Sequence, residues 1–332
     1  MKRFRNEIVI GIIGVLLAIL LFIFPAPSDR ILNIQNYLIT VGGIISAFVI
    51  AYLSGKIFNL RTERENRQIK INRYGRKLTN FRRLLYYVMQ SRDFWVYYDD
   101  ISKFKKKYPD LNYERLHGQG EDELRRTFWL DEKDLESSTV DLYSAMEAIY
   151  GDVDAPGIPW ALDKSISFDY TLNDLTKYHD PSNQIWYYLD GRYGKHGAGR
   201  FNDEGIWVLY EKYVPDIFAK ISSKFKGKDF HRLILAEIAS KFYGQYIPKM
   251  YELIQKNTGI PRSLIITFYS LLSIMLFGVL LPIFIQSLSI PNGLNIFLTL
   301  FFVWATIVSI LKFIFDFFKF LDDDVHVVKN SS

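Results

Sequence analysis

The stretch SLIITFYSLLSIMLFGVLLPIFIQSLSIPNGLNIFLTLFFVWATIVSIL, residues Ser263 to Leu311, contains no Asp, Glu, Lys or Arg in 49 residues. A bilayer core about 30 Å thick requires about 20 apolar residues per helix, so this stretch is long enough for two spans. Its middle contains Pro291, Asn292 and Gly293, which are typical turn residues. The sequence therefore predicts a membrane hairpin in residues 262–316, with spans at about 264–285 and 294–315.

The N-terminal end carries a second predicted hairpin, residues 1–58, with spans at about 8–24 and 37–58. Three basic residues precede 17 uncharged ones, a pattern that signal peptides share with first transmembrane helices. The uncharged core is longer than in a usual signal peptide, and Pro25 and Pro27 make a poor cleavage site. Another span also follows at once. We therefore expect an uncleaved transmembrane helix.

Lys and Arg are unequally distributed around the four predicted spans. Eighteen of them flank the outer ends of the two hairpins, whereas the short loops inside the hairpins contain only Arg30. Because short loops rich in Lys and Arg stay on the cytoplasmic side, both termini and residues 59–261 are predicted to be cytoplasmic. We expect an all-α protein of the cell membrane, with four transmembrane helices in a 2+2 order around a mainly helical cytoplasmic domain.

The central region, residues 59–261, shows helical rather than strand periodicity. Apolar residues recur at steps of three and four from Leu78 to Trp95, and Pro109 is the expected end of that helix. Further helices are expected near 131–150 and 203–225, and from Asp229 with a kink at Pro248. The last of these has an apolar stripe four residues apart: Phe230, Ile234, Ile238, Phe242 and Tyr246. The segment 151–202 is rich in turn residues, and 317–332 is expected to be a disordered tail.

The second span contains a row of small residues, each four positions after the last: Gly43, Ala47, Ala51 and Gly55. Such a row forms a groove in which another helix approaches closely, because small side chains let backbones pack within a membrane. The partner is either the first span of the same chain or a neighbouring subunit. In the second case the groove is a subunit contact or the wall of a pore.

Six basic residues follow that span at intervals of three: Arg61, Arg64, Arg67, Lys70, Arg73 and Arg76. A step of three rotates about 300° around an α-helix, so these charges wind around it instead of sharing a face. We interpret them as a collar that contacts anionic lipid headgroups. The alternative is a signal for membrane orientation alone. Nucleic-acid binding is disfavoured, because no recognised nucleic-acid-binding motif accompanies the charge.

A glycine-rich segment, residues 191–200, offers the best ligand candidate. Glycines let backbone N–H groups approach an anion, and four side chains here carry or can acquire positive charge: Arg192, Lys195, His196 and Arg200. The segment matches neither the P-loop nor the dinucleotide pattern, so a plain loop is the competing interpretation. The chain has no Cys, and its histidines lack metal-ligand spacing. No catalytic residue, cofactor or metal is therefore predicted, and the sequence argues against an enzyme.

No ionisable residue lies deep in any predicted span. The polar groups within the spans are mainly hydroxyls: Thr40, Ser46, Ser54, Ser270, Ser273, Thr299, Thr306 and Ser309. They either line a narrow pore or bond back to helix carbonyls. The leading hypothesis is a homo-oligomeric pore or membrane effector regulated by its cytoplasmic domain. A non-conducting membrane scaffold is the alternative, and a membrane-bound enzyme comes third.

Overall fold

A computed structural model describes residues 28–117, 137–151, 170–190, 201–206, 208–256, 259–288 and 290–329. The chain divides into a terminal unit, Met1–Arg64 with Thr258–Ser332, and a central unit, Glu65–Asn257. The described residues form helices and no β-strand, apart from one isolated bridge between Trp95 and Phe201. The all-α prediction is confirmed for this part of the chain.

The α-helices, in chain order, are α1 Ser28–Gln90, α2 Tyr98–Lys107, α3 Tyr113–His117, α4 Ser137–Tyr150, α5 Leu172–Leu189, α6 Val208–Glu211, α7 Val214–Ile221, α8 Arg232–Lys241, α9 Ile247–Gln255, α10 Arg262–Met275, α11 Leu281–Gln286 and α12 Asn292–Lys329. Short 3-10 helices occur at Arg92–Phe94, Asp203–Gly205 and Ser223–Phe225. π-Helical segments at Phe242–Tyr246 and Leu276–Leu280 join α8 to α9 and α10 to α11.

Three described segments are long and apolar enough to cross a membrane: Arg30–Gln90, Leu264–Gln286 and Asn292–Phe315. The second and third match the predicted C-terminal hairpin within a few residues. The first contains the predicted span 37–58. These helices identify the chain as a membrane protein by length and composition, whereas the predicted first span, 8–24, lies outside the described residues.

Polar contacts at one end of the terminal unit fix how its helices are aligned. The Gln35 side-chain amide donates to Asn295 Oδ1 at 2.9 Å and to Thr299 Oγ1 at 2.6 Å. Farther along the same two helices, the rings of Tyr52 and Phe317 meet at 5.1 Å. The contacts join residues about 264 positions apart at both levels, so α1 and α12 run parallel. Gln35 is buried, which makes these amide contacts part of the interior.

Two glycines approach each other closely in the terminal unit. A Cβ atom added to Gly42 would lie 3.0–3.1 Å from the backbone O, C and Cα atoms of Gly278. A Cβ added to Gly278 would lie 3.2 Å from Thr306 Cγ2. Residues of α1, of the Leu276–Leu280 π-segment and of α12 therefore meet at one level. Small residues allow this close packing in apolar surroundings.

Both π-segments precede a proline by the same spacing. Gly244 lies four residues before Pro248, and Gly278 lies four residues before Pro282. A proline inside a helix removes one backbone donor, and its ring clashes with the carbonyl four residues earlier. The backbone changes to i→i+5 bonding at these points: Ile247 N–H donates to Phe242 O, and Leu281 N–H to Leu276 O. The helix type thus changes locally next to Pro248, where a kink was predicted.

The core of the central unit forms around the second half of α1. Its predicted apolar positions Leu78, Phe81, Leu85 and Val88 are all buried, and the Phe81 ring stacks on Phe242 with centroids 4.4 Å apart. However, α1 ends at Gln90, well before Pro109. Beyond it, the Ser91 hydroxyl donates to Tyr87 O, and the Trp95 indole N–H donates to Val88 O. These side chains occupy the last carbonyls of the helix and end it.

The prediction of turns throughout residues 151–202 is wrong for α5, an 18-residue helix. Its first turn is a capping box, in which Thr171 Oγ1 accepts from Asp174 N–H and Asp174 accepts from Thr171 N–H. Such a pair stabilises a helix start. The helix passes through Pro181, and the Ser182 hydroxyl donates to Tyr178 O beside it. The capping signal was present in the sequence, but the prediction did not use it.

Two further boundaries differ from expectation. The N-cap of α8 is His231, whose Nδ1 accepts from Leu233 N–H, and not Asp229. The last helix continues to Lys329, whereas the sequence analysis expects a disordered tail from residue 317. No Pro or Gly follows Gly293, so the residue types most unfavourable to a helix are absent from that end.

Candidate functional site

The central unit contains a cluster of a buried carboxylate with a partly buried imidazole and a partly buried phenol. The Tyr188 hydroxyl of α5 donates to Asp141 Oδ2 of α4 at 2.7 Å. The Nε2 atom of His117, the last residue of α3, lies 3.3 Å from Asp141 Oδ1. The side chains of His117 and Asp141 are only 22% and 10% exposed. Three helices that are distant in sequence therefore meet at one carboxylate.

The pairing at Asp141 is incomplete. His117 Nε2 and Asp141 Oδ1 are close enough for an ion pair, but their geometry falls outside that of a hydrogen bond, and neither atom has another partner among the described residues. The hydroxyls of Thr139 and Ser144, also on α4, are buried and have no hydrogen-bond partner within the described ranges. Buried polar atoms without partners are rare in folded proteins and often mark a functional position.

Burial and nearby negative charge raise the pKa values of two phenols, Tyr188 and its neighbour Tyr113. Burial first, then the Asp141 carboxylate and its hydrogen bond, raises the pKa of Tyr188 above its ordinary value. Burial, then the charges of Asp180 and Asp141, also raises the pKa of Tyr113, whose ring lies 4.6 Å from the His117 ring. Both phenols therefore remain protonated at neutral pH, and the Tyr188 hydroxyl stays a donor to Asp141.

The cluster connects three helices through one carboxylate, and a buried carboxylate requires polar partners within the fold. No group of three or more His, Asp or Glu side chains within metal-binding reach occurs in the described part of the chain. The cluster is therefore a polar connection between α3, α4 and α5.

The raised tyrosine pKa values predict a loss of stability at alkaline pH. A raised pKa in the folded state stabilises the protein fully below the unfolded value of about 10, and this contribution is lost as the pH rises through the folded value. We expect the free energy of unfolding of the full chain in detergent to fall above about pH 10. Tyr188→Phe should reduce that dependence by up to about 1.4 kcal/mol per pH unit. Denaturant unfolding measured from pH 8 to pH 11 checks this.

The matched control is Tyr251→Phe, because Tyr251 lies in the same unit and is exposed. Tyr188→Phe should also lower stability at pH 8 by about 1 kcal/mol, since it removes the donor to Asp141. Equal pH dependence in wild type and Tyr188→Phe would contradict the assignment of a buried, protonated phenol.

The structure describes only part of the sites expected from sequence. The glycine-rich segment with Arg192, Lys195, His196 and Arg200 lies outside the described residues. All six collar residues lie on α1; five are exposed, and Arg67 donates from Nη1 to Lys256 O at 3.1 Å. Their contact with lipid stays a prediction.

The small-residue groove lies on a face of α1 that the described helices do not cover. Ala47, Ala51 and Gly55 are exposed, and a Cβ added to Gly43 or Gly55 would meet no described atom within 4 Å. The close contact inside the unit instead uses Gly42, the neighbour of Gly43. That another helix packs into this groove stays a prediction.

Six of the eight hydroxyls named for the spans fall into two groups. Thr40, Ser270 and Ser309 bond back to carbonyls four residues earlier, as Thr299 does in addition to its contact with Gln35. Ser46 and Thr306 are buried, and their hydroxyls have no partner among the described residues. Hydrogen bonds to carbonyls of the same helix therefore account for four of these hydroxyls.

Comparison with protein-family models, with curated proteins and with solved structures found no match to this chain.

The cluster around Asp141 was not predicted from sequence. Its members lie far apart along the chain, and Tyr188 is 47 residues after Asp141. One signal was available: Asp141 sits inside a helix whose neighbours Val140 and Leu142 are apolar. A carboxylate at such a position requires a partner within the fold.

Proposed function

We propose that the protein is a homo-oligomeric membrane pore whose opening is regulated by the central unit, which faces the cytoplasm. The observation that carries the proposal is the uncovered groove on α1. Small side chains offer lipid little contact area, whereas they allow another helix to approach closely. A second copy of the chain is the occupant that turns this face into a subunit contact.

The glycine crossing supports a path between subunits. Gly42 and Gly278 approach to backbone contact, and Thr306 packs beside them. This packing leaves little room for ions between the three described spans of one chain. Hydroxyls and carbonyls along helices at a subunit contact would then replace part of the hydration shell of a small ion.

Regulation by the central unit is supported by the buried His117–Asp141 pair and by the extent of α1. Helix α1 contributes residues to both units, so a rearrangement that reaches its second half acts on the same helix that enters the membrane. A switch needs two states that differ by a few kcal/mol. Completing the pairing of the buried Asp141 carboxylate in one state and not in the other would supply an energy of that size.

The test combines cross-linking with ion flux. The chain has no native Cys, so Ala47→Cys reports without background. We expect oxidation to join two copies through Ala47→Cys, and we expect wild type in liposomes to release trapped potassium or chloride. Ala47→Leu should reduce particle size in mild detergent and abolish the flux, because overpacking a close contact costs about 1–3 kcal/mol.

The control position is Phe48, which is 72% exposed and is rotated about 100° around the helix. Phe48→Cys should cross-link less, and Phe48→Leu should leave size and flux unchanged. Monomeric protein without flux at any pH from 5 to 8 would remove the pore proposal. The non-conducting scaffold would then lead, with residues 8–24 of the same chain as the occupant of the groove.

A further inference from the structure

A cluster of lysines surrounds one buried aromatic ring in the central unit. The segment from Lys220 to Lys228 carries four lysines and no acidic residue. It passes from α7 through the 3-10 helix Ser223–Phe225 into a tight turn. Phe225 is fully buried, so its ring has a defined position. The distance from each lysine ammonium to the centre of this ring therefore describes the cluster.

The turn brings two of these lysines back to the same ring. Lys228 N–H donates to Phe225 O at 3.2 Å. Lys226 has φ −59° and ψ 128°, and Gly227 has φ 71°. These angles define a type II turn, whose third position favours glycine because φ is positive there. Lys224 and Lys228 consequently lie with their Nζ atoms 5.8 and 5.9 Å from the centre of the Phe225 ring.

A third ammonium reaches this ring from α8. Lys241 Nζ lies 4.8 Å from the centre of the ring. Lys224 and Lys241 also share one carboxylate oxygen, Glu237 Oε1, at 2.6 and 3.2 Å. The Lys228 ammonium has no hydrogen bond or ion pair within the described residues. Three positive charges therefore meet around one ring with one negative charge between them.

The excess of positive charge is held in place by the fold. The side chain of Lys241 is only 23% exposed, and the type II turn fixes the backbone that carries Lys228. Burial alone would raise the pKa of Glu237, but hydrogen bonds from Lys224 and Lys241 lower it below its ordinary value. Glu237 is thus ionised at neutral pH, and the net charge of the group remains +2.

We propose that Lys224, Lys228 and Lys241 form a binding site for a phosphate group that carries at least two negative charges. Ammonium groups bind phosphate oxygens as point charges, and a dianion balances the net charge of the cluster. The group can come from a soluble polyphosphate compound or from a phosphorylated lipid headgroup. In this arrangement Glu237 is a competitor, since its carboxylate holds two of the three lysines in the absence of an anion.

Because Glu237 competes with the anion for the lysines, removing its charge should change the affinity in a defined direction. Glu237→Gln keeps the size of the side chain and removes the negative charge, so the affinity for a phosphate dianion should rise about tenfold. Lys228→Gln removes an ammonium that has no hydrogen bond or ion pair within the described residues, and it should lower the affinity about tenfold. Lys103→Gln changes an exposed lysine elsewhere in the same unit and is the matched control.

The experiment uses the full chain in detergent and titrates it with inorganic tripolyphosphate by calorimetry at 50 mM and 200 mM salt. A second arm measures binding of nanodisc-embedded protein to vesicles with and without phosphorylated phosphoinositides. Binding in the first arm indicates a soluble ligand, and binding in the second arm alone indicates a headgroup. In either arm, Glu237→Gln should strengthen the binding and Lys228→Gln should weaken it.

The proposal is overturned if neither probe binds at 50 mM salt. It is also overturned if Lys103→Gln weakens binding as much as Lys228→Gln, since that result indicates attraction to the overall charge of the surface. Weaker binding after Glu237→Gln would equally contradict the site, because the carboxylate would then be needed for its geometry. All of these readouts are independent of ion flux, so a failed pore proposal leaves them unchanged.

Discussion

Gly42→Leu is expected to disrupt the packing of the terminal unit. Any Cβ atom at this position would lie 3.0–3.1 Å from backbone atoms of Gly278, and backbone cannot move aside as a flexible side chain can. Forcing extra atoms into a closely packed contact commonly costs about 1–3 kcal/mol. We expect a lower midpoint of thermal unfolding in detergent and a larger fraction of aggregated protein on sizing.

The adjacent glycine is the natural control. Gly43 has no described atom within 4 Å of its Cβ position, so Gly43→Leu should leave the packing of the three described spans unchanged. Under the proposed function it should instead reduce the particle size, because Gly43 belongs to the groove. If the two variants have the same unfolding midpoint, the crossing at Gly42 and Gly278 is not the close contact that the structure describes.

Arg82→Leu is expected to give the largest loss of stability in the central unit. The Arg82 side chain is buried and donates from Nε to Ile149 O at 2.9 Å and from Nη2 to Tyr150 O at 3.2 Å. These carbonyls end α4, where the helix dipole places partial negative charge. The guanidinium also lies 5.4 Å from the centre of the Tyr178 ring. A buried charge is thus stabilised without a carboxylate partner among the described residues.

Removing it leaves buried carbonyls without a donor, which costs about 3 kcal/mol in total. For a unit of this size that corresponds to a decrease in Tm of about 6–12 °C, measurable by thermal unfolding of the full chain in detergent. Arg82→Lys keeps the charge but cannot supply two donors in the geometry of the guanidinium, so it should give an intermediate Tm. Arg76→Leu, at an exposed position on the same helix, should change the Tm little. A Tm for Arg82→Leu equal to that of Arg76→Leu would contradict the helix-end contact.

The terminal unit could be predicted largely from sequence. Membrane spans depend on the sum of many apolar residues, so the limits of Leu264–Gln286 and Asn292–Phe315 follow from composition. The partner of each face does not follow from composition. Gly43 was predicted to lie at a helix contact because three small residues follow it at intervals of four. The close contact among the described helices instead uses Gly42. Adjacent residues differ by 100° around a helix, and only the packed structure distinguishes them.

In the central unit, local signals were sufficient where they were unopposed. The buried face from Leu78 to Val88 was predicted correctly, because four apolar residues share one helical stripe. Helix α5 was missed because the prediction relied on the prolines and glycines of residues 151–202 and did not use the capping pair Thr171 and Asp174. The cluster around Asp141 depends on contacts between residues 24 and 47 positions away. Such contacts arise from the packing of whole helices and leave little trace in a single sequence.

The π-segment Phe242–Tyr246 shifts the phase of the buried stripe that passes through it. Before the segment, buried positions follow the usual spacing, from Leu235 and Ile238 to Phe242. The next fully buried residue is Ile247, five positions later, and Tyr246 is only partly buried. A pattern of buried residues that is extended across this segment at intervals of four therefore predicts Tyr246 as the next buried residue, one position before the observed Ile247. A chain that lost one residue here would regain a regular helix with Phe242 and Ile247 four positions apart, so Ile247 and Met250 would stay on the buried face.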